Sequence, residues 1–421
     1  MNTTIAGKQS CDNASNLLTV NEAKEKILDA IKPIERHEQV DIRSSLNRVL
    51  GEDIQSSINI PPYDNSAMDG YAVASSDLPD SGSCKLQLVG ESFAGRPFEG
   101  EVKQGKCIRI MTGAMIPKGT NTVIMQEHVE REGKTITIPS GYKPGQNKRC
   151  AGEDMHIGQT VLTTGTVIGA AELGILASLG IAEIKVFRPI KVAFFSTGDE
   201  LKDAGESLEE GQIYDSNRYT LYGMLHQMGV ELLDLGIIND NREDIRKTFL
   251  SLTETESVDA IITTGGVSVG EADFIKDVLE EIGEINFWRV AIKPGKPLAI
   301  GSINNAFFFG LPGNPVSSMV TFYQFVQPAL RRLAGESKTD NISFKVRCAN
   351  ELRKKPGRLE YQRGILQYDQ DGNMVVSSSG AQGSHILTSM SNANCLIILP
   401  AECDGVKAGE YVEVQPFHGL I

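Results

Sequence analysis

The alternation of strand-like and helix-like segments between Pro189 and Gly335 constrains this chain more than any other feature. Apolar runs such as KVAFF and DAIITT have no polar face, and each is followed by a stretch with apolar residues at helical spacing. Strands buried on both faces read as continuous apolar runs, and joining them in parallel requires crossover helices. The pattern predicts a parallel α/β domain over residues 188–337, and we expect this domain to carry the site.

A region with the sequence pattern of short β-strands precedes this domain. Short runs such as CKLQLVG and KTITIP, separated by Gly and Pro, predict a β-rich insert over residues 58–149. The insert would divide one discontinuous N-terminal domain into residues 15–57 and 150–187. Its first helix is predicted to start at a capping box formed by Thr19 and Glu22.

The C-terminal segment returns to alternating strands. Asp371-Gly372 is typical of a hairpin turn between ILQYDQ and NMVVSS, and KAGEYVEVQP reads as a last strand. Residues 338–421 are therefore predicted to form a small C-terminal β domain of barrel type. The expected fold class is multidomain, α/β plus β.

Composition narrows the functional classes. The chain has 421 residues, enough for two to four domains, and no apolar run approaches the ~20 residues of a membrane span. Its 54 acidic and 41 basic residues give a net charge of -13, so we expect neither a nucleic-acid nor a membrane partner. A polar N-terminus without a secretion signal, and seven scattered cysteines without a CxxC pair, indicate a cytoplasmic protein with reduced thiols.

Polar loops follow four of the predicted strands, at the edge where parallel sheets bind ligands. They are Ser196-Thr197-Gly198-Asp199-Glu200, Asn239-Asp240, Gly265 to Asp273, and Leu311-Pro312-Gly313-Asn314-Pro315. The Gly-rich loop could cradle a phosphate through its backbone N–H groups, or its glycines could serve only a turn with positive φ. The three carboxylates Glu200, Asp240 and Asp273 could converge on Mg²⁺, or each could cap a helix.

Two lysines lie on a stiff loop in the segment WRVAIKPGKP. Lys293 and Lys296 alternate there with prolines, which suits a rigid clamp for a small oxyanion better than a solvated surface loop. In the insert, Asp64 and Asp69 are explained by Asx turns on spacing alone. In the tail, Arg358, Arg363 and His385 add basic groups, although a lone histidine is more often structural.

Ten ordered strings closely resemble the molybdopterin molybdenumtransferases, the enzymes of molybdenum cofactor synthesis related to the C-terminal domain of gephyrin. They run in family order from about Pro61 to the end of the chain. The strings are PYDNSAMDGYAV, IRIMTGA, GEDM, STGDEL, IYDSNR, TTGGVSVGEADF, AIKPGKP, GLPGNPVSS, PGRLEYQRG and QGSH.

The resemblance implies a reaction and its site residues. Molybdate would enter the dithiolene of adenylated molybdopterin with Mg²⁺ as cofactor, releasing AMP and yielding the molybdenum cofactor. The metal ligands are expected to be Glu200, Asp240 and Asp273. The catalytic groups are expected to be Asp69, Thr112, Asp154, Lys293 and Lys296. Substrate contacts are expected at Ser196, Thr197, Gly198, Asp215, Gly265, Gly266, Ser268, Pro312, Pro315, Arg358 and Ser384.

The resemblance also implies partners. The family forms an elongated homodimer whose cleft lies between subunits, so the insert of one subunit would reach the site of the other. An adenylyltransferase would act upstream, and chaperones of molybdoenzymes would act downstream.

Two alternative functions stay open at this point. One is a molybdopterin adenylyltransferase, an enzyme class that shares the α/β domain with its TTGGVS loop and needs neither the insert nor the tail. The other is a non-catalytic scaffold, a role that in the gephyrin branch goes with a long linker and a second domain.

Overall fold

The computed structural model describes residues 17–254, 257–265 and 274–417. The described ranges contain eight α-helices and 28 strands. Up to residue 187 they are α1 (Val20–Ala30), β1 (His37–Asp41), β2 (Ile54–Gln55), β3 (Asn65–Ser66), β4 (Gly70–Val73), β5 (Ser83–Ser92), β6 (Lys106–Ile110), β7 (Thr122–Met125), β8 (Glu130–Glu132), β9 (Thr135–Pro139), β10 (Lys148–Arg149), β11 (Thr160–Leu162), α2 (Ala170–Ser178) and β12 (Glu183–Phe187).

The elements after residue 187 fall into two groups. Those up to residue 333 are β13 (Lys191–Thr197), β14 (Leu201–Lys202), β15 (Ile213–Tyr214), α3 (Ser216–Gln227), β16 (Glu231–Ile238), α4 (Arg242–Glu254), β17 (Ala260–Thr264), α5 (Phe274–Ile282), β18 (Glu284–Arg289), β19 (Ile292–Lys293), β20 (Pro297–Ile303), β21 (Ala306–Leu311), α6 (Pro315–Thr321) and α7 (Gln327–Leu333). The rest are β22 (Phe344–Cys348), β23 (Leu352–Arg353), β24 (Leu359–Tyr368), β25 (Met374–Ser378), α8 (Thr388–Ser391), β26 (Cys395–Leu399), β27 (Gly405–Val406) and β28 (Tyr411–Pro416).

The N-terminal region joins chain from both sides of the insert. The predicted capping box at α1 is confirmed, because Glu22 N–H donates to Thr19 Oγ1 and Thr19 N–H donates to Glu22 Oε2. Strand β1 pairs with β12 and β2 pairs with β11, both antiparallel. Leu50, Ile168 and Val186 pack in the shared core. The domain boundaries themselves stay a prediction.

The insert is built on a six-stranded sheet in the order β7-β4-β6-β5-β9-β8. Neighbouring residues of β4 point to opposite faces, so Tyr71 packs in one apolar cluster and Ala72 in another. Both faces of this sheet are thereby covered, which makes the insert a compact β unit.

The α/β region carries a six-stranded sheet in the order β16-β13-β17-β21-β20-β18. The four strands β16, β13, β17 and β21 are parallel, as predicted. Strand β20 alone runs in the opposite direction, antiparallel to both of its neighbours β21 and β18, so the sheet of the predicted α/β domain is mixed at this edge. The two-residue loop Asn304-Asn305 explains the reversal of β20 and β21, because so short a loop joins only antiparallel strands.

The two faces of this sheet pack on separate cores. Phe194 and Phe309 lie in one apolar cluster, while their neighbours Phe195 and Phe308 lie in the other. The continuous apolar runs therefore reflect burial on both faces, as the sequence indicated.

The C-terminal strands form a closed five-stranded barrel. Its order is β24-β25-β22-β28-β26, and β26 pairs back onto β24. Short strand β19 pairs in parallel with the start of β24, so the Lys293 loop of the α/β region lies directly against the barrel. Among the described residues, no helix has the length and apolar character needed to cross a membrane.

Candidate active site

Three parallel strands end together at the carboxyl edge of the sheet, namely β13, β17 and β21. The Ser196 and Thr264 hydroxyls lie 2.7 Å apart across β13 and β17, and both residues are buried. Gly265 follows with φ +89°, and a Cβ there would stand 2.7 Å from the Thr197 carbonyl oxygen. Both the backbone conformation and this close approach require glycine at position 265.

Carboxylates gather where β13 and β16 end. The Glu200 carboxylate folds over Gly198, where a Cβ would stand 2.6 Å from Glu200 Oε2. Asp240 follows β16, and its pKa is raised by burial and then by the negative charges of Asp199 and Glu200. Glu200 and Asp240 are thus close enough to interact, as the resemblance implied.

The third predicted metal ligand, Asp273, lies outside the described residues, as do Gly266 and Ser268. Within the described ranges no group of three or more His, Cys, Asp or Glu side chains could hold a metal ion. The structure therefore brings together two of the three predicted ligands, and the metal assignment stays a prediction.

A cleft of about 780 Å³ lies between the sheet edge and the barrel. It contains six of the residues that the resemblance pointed to, although they come from segments up to 119 residues apart in sequence. They are Gly265, Lys293, Lys296, Pro312, Arg358 and Ser384. Four of the six side chains are cationic or hydroxyl groups, which suit a small oxyanion.

The two lysines of the cleft differ in their pairing. Lys293 Nζ lies 3.1 Å from both carboxylate oxygens of Glu360, which is buried and also accepts a hydrogen bond from Gln362 Nε2. Lys296 is exposed, and no described residue pairs with its ammonium. Glu360 thus compensates the charge of Lys293, whereas the charge of Lys296 has no counter-charge in the described ranges and is available to a ligand.

The opposite wall is formed by the loop before α6 and by a segment of the barrel. Val316 N–H donates to the Ser384 carbonyl oxygen, which ties residue 384 to the beginning of α6. Asn217 Nδ2 donates to Gly313 O at 2.7 Å and holds the Pro312 to Pro315 loop from the other side. Pro315 stands at the first position of α6, where a proline needs no hydrogen-bond acceptor.

Asp215 has a structural partner that its predicted role did not include. It caps α3 by accepting a hydrogen bond from Arg218 N–H, and its carboxylate also faces the Arg218 guanidinium. It lines a neighbouring cavity of about 670 Å³ beside Tyr214 and Tyr219, not the cleft that holds Lys296. A substrate contact for Asp215 stays a prediction.

The three predicted residues that precede the α/β region in the chain do not line the cleft. Asp69 Oδ1 accepts hydrogen bonds of 2.7 Å from Thr112 N–H and from its hydroxyl, which lower the pKa of Asp69. Asp154 is exposed, and its backbone donates to Ile60 O. Across the described ranges, no hydrogen bond or ion pair connects these residues to the cleft of their own chain.

Sequence reasoning noted Arg363 as a basic residue but missed the buried polar side chains of Glu360 and Gln362 beside it. All three residues belong to β24 and lie within the string PGRLEYQRG. The period of two in a strand places Glu360 and Gln362 on one face and Arg363 on the other. This alternation can be recognised in the sequence, but it indicates a function only once the structure shows that β24 borders the cleft.

Comparison with known proteins covers nearly the whole chain. Three family models match, described as the MoeA N-terminal region (domain I and II) over residues 18–180, a probable molybdopterin binding domain over 193–332, and the MoeA C-terminal region (domain IV) over 345–417. The chain is 47% identical to a molybdopterin molybdenumtransferase of Haemophilus influenzae over 96% of this chain and 100% of that protein. It is 35% identical to a molybdopterin molybdenumtransferase of Nostoc over 90% of this chain and 88% of that protein.

The fold has solved counterparts. A molybdopterin biosynthesis moeA protein from Pyrococcus horikoshii OT3 superimposes with a TM-score of 0.80 at 32% identity, covering 96% of this chain and 100% of that one.

Proposed function

This chain belongs to the family of molybdopterin molybdenumtransferases, which are transferase enzymes, and from that premise we propose that its cleft inserts molybdate into adenylated molybdopterin. The products would be AMP and the molybdenum cofactor. The observation that carries the proposal is the single cleft in which Lys296, Arg358 and Ser384 meet the carboxyl edge of the sheet.

Molybdate would bind at the barrel side of the cleft. It is a tetrahedral dianion, so it requires donors that converge from several directions. Lys296 supplies an ammonium that is unpaired among the described residues, and Ser384 supplies a hydroxyl. Arg358 supplies an exposed guanidinium, whose Nη1 also donates to Ile292 O at 3.4 Å. These three groups would hold the oxyanion against the dithiolene end of the substrate.

The phosphate end of the substrate would lie at the sheet edge. Gly198 and Gly265 lie there beside the buried hydroxyls of Ser196 and Thr197. Thr197 Oγ1 is buried and has no hydrogen-bond partner within the described part of the chain, so a substrate oxygen or donor could satisfy it.

The carboxylates at this edge fit Mg²⁺ by their chemistry. Mg²⁺ prefers oxygen donors as ligands. The negative charge of Asp240 is repelled by the negative charges of its neighbours Asp199 and Glu200, and a bound cation would relieve this repulsion. Glu200, Asp240 and Asp273 would hold the ion. When bound, Mg²⁺ would polarise phosphate oxygens and stabilise the charge that develops on departing AMP.

Removal of the Asp240 charge should abolish stabilisation by Mg²⁺. In the wild type, Mg²⁺ at a free concentration of about ten times its Kd should add ~1.4 kcal/mol to the free energy of unfolding. We expect Asp240→Asn to lose this increment while remaining at least as stable as the wild type without Mg²⁺, because it removes repulsion from Asp199 and Glu200. Urea titrations with and without Mg²⁺ measure both quantities.

Asp244→Asn is a suitable control for this comparison. It lies four residues away in α4, where Asn239 and Asn241 donate to its carboxylate. An undiminished Mg²⁺ increment in Asp240→Asn would contradict the metal assignment.

We also propose that the protein forms a homodimer, acts in the cytoplasm and works between an upstream enzyme and downstream chaperones. In a homodimer, the partner subunit would bring over the cleft its own copies of Asp69 and Thr112 from the insert and of Asp154 from the segment that follows it, which would explain why these residues lie apart from the cleft within one chain. We place the protein in the cytoplasm. There an adenylyltransferase would supply its substrate, and chaperones of molybdoenzymes would receive its product.

The decisive experiment is AMP release from adenylated molybdopterin by the purified protein, with molybdate and Mg²⁺ each omitted in turn. We expect release only when both are present, with formation of the molybdenum cofactor. Adenylation of free molybdopterin at the expense of ATP would instead indicate an adenylyltransferase. Substrate binding without AMP release under any condition would indicate a scaffold.

A further inference from the structure

Two adjacent lysines begin the loop KKPGR between β23 and β24, and only one of them is buried. Lys354 is 7% exposed, whereas Lys355 and the other loop residues up to Arg358 are exposed to solvent. Over residues 17–254, 257–265 and 274–417, no carboxylate lies within ion-pair distance of the Lys354 ammonium. A buried charge of this kind is unfavourable unless its hydrogen bonds are satisfied.

Three backbone carbonyl groups surround this ammonium. Lys354 Nζ donates to Cys403 O at 3.0 Å, to Ala401 O at 3.1 Å and to Lys355 O at 3.2 Å. A lysine ammonium has three N–H donors and no acceptor, so these three oxygens match its full donor set. Two of the oxygens belong to the turn between β26 and β27, and the third belongs to the loop itself. The ammonium thus fastens the loop to the turn.

The same turn holds the backbone next to Arg358. Gly357 N–H donates to Ala401 O at 2.8 Å, so one carbonyl oxygen accepts from both the Lys354 ammonium and the residue before Arg358. The Arg358 side chain lines the cleft, where its Nη1 donates to Ile292 O at 3.4 Å. The position of this guanidinium therefore depends on a stretch of backbone that the turn anchors through Ala401.

The charge of Lys354 matters for this anchoring more than its volume does. An apolar side chain of similar length would fill the same space, but it would remove all three hydrogen bonds to the carbonyl oxygens at once. The loop would then be free to move, and Arg358 would move with it. A ligand that binds through a mobile side chain has to order it first, whereas a guanidinium already in position avoids that cost.

We infer that Lys354 is a positioning residue of the oxyanion site, whose buried ammonium fixes the loop that presents Arg358 to molybdate. This rests on the proposed function, because Arg358 is one of its molybdate-binding groups. Lys354 itself does not line the cleft, so its effect on molybdate has to pass through Arg358.

A double-mutant cycle on Lys354 and Arg358 tests this relation. Lys354→Met removes the ammonium and keeps the length of the side chain, and we expect its KM for molybdate in AMP release to rise about tenfold. Its KM for adenylated molybdopterin should change less than about twofold. In an Arg358→Ala background, Lys354→Met should change the KM for molybdate by less than about twofold, because the group that Lys354 positions is already gone. An equal increase in both backgrounds is the pattern of a merely structural residue and would overturn the inference.

The neighbouring lysine provides a matched control. Lys355→Met removes an exposed charge one residue away and should leave both KM values unchanged. Equal increases in Lys354→Met and Lys355→Met would mean that the loop attracts molybdate by its total charge, and the positioning role would then be wrong. Lys354→Arg keeps a charge and N–H donors, so it should show a smaller increase of the same selective kind. It keeps the cycle measurable if the methionine variant fails to fold.

Equilibrium dialysis of molybdate alone separates this inference from the proposed function. If the wild type binds molybdate but releases no AMP, the proposed function fails. A Kd for molybdate that rises in Lys354→Met only when Arg358 is present would still support the role of Lys354. If the wild type releases AMP and the two substitutions act independently, the proposed function stands and the inference fails.

Discussion

Replacing Lys296 by methionine is expected to lower kcat/KM for AMP release by at least about 100-fold. The loss of one preorganised donor to a developing or bound oxyanion typically costs a factor of 10² to 10³. Lys296 stands out in this cleft because its ammonium has no protein partner among the described residues, so its full charge reaches the ligand. A steady-state assay of AMP release at varied molybdate measures the effect.

The same geometry predicts an order among the cleft lysines. Lys293→Met should be less damaging than Lys296→Met, because Glu360 already compensates the Lys293 charge. Lys296→Arg should recover part of the activity, since it keeps the charge with a different shape. Lys345→Met on the outer face of β22 provides the control and should be neutral. A larger loss in Lys293→Met than in Lys296→Met would contradict the distinction drawn from pairing.

The fold was predictable where the sequence pattern is local. Continuous apolar runs such as AIITT indicated strands covered on both faces, and they form the parallel part of the sheet. The reversal at β20 was missed because an Asn304-Asn305 turn resembles an ordinary polar loop until both flanking runs are recognised as strands. Topology depends on such short connections, which carry little signal in a single sequence.

The site was predictable only in part, and for a different reason. Lys293 and Ser384 are 91 residues apart, so no spacing rule could place them in one cleft, and the resemblance to a family supplied that association. The resemblance could not show which of the two cleft lysines has its charge paired within the protein. That difference depends on β19 pairing with β24, which sets Lys293 opposite Glu360. Tertiary register therefore decides which of two similar lysines is available to a ligand.

Arg218 should be the most important ion-pairing residue for stability near the site. It is 7% exposed and lies at hydrogen-bond distance from Asp203 and Asp234, while Asp215 faces it from the cap of α3. Arg218→Met would leave these three carboxylates facing one another, with Asp215 deeply buried. Removing one partner of a buried ionic cluster typically costs about 3–5 kcal/mol. Because Asp203 and Asp234 are partly exposed to solvent, we expect a loss of free energy of unfolding at the lower end of that range at pH 7.

The sign of the pH dependence tests this explanation. Hydrogen bonds from Tyr219 and then from Ala204, together with the Arg218 charge, lower the pKa of Asp203, so its contribution to stability is present at neutral pH and is lost in acid. Without Arg218 the clustered carboxylates should bind protons more readily, which relieves their repulsion as the pH falls. The difference in free energy of unfolding between wild type and Arg218→Met, measured by urea unfolding, should therefore shrink from pH 7 towards pH ~4.

Arg242→Met serves as the control. It breaks an exposed ion pair with Glu281 and should lower the free energy of unfolding by at most ~1 kcal/mol. A loss that stayed constant with pH would mean that Arg218 stabilises the fold by packing its side chain rather than by its charge.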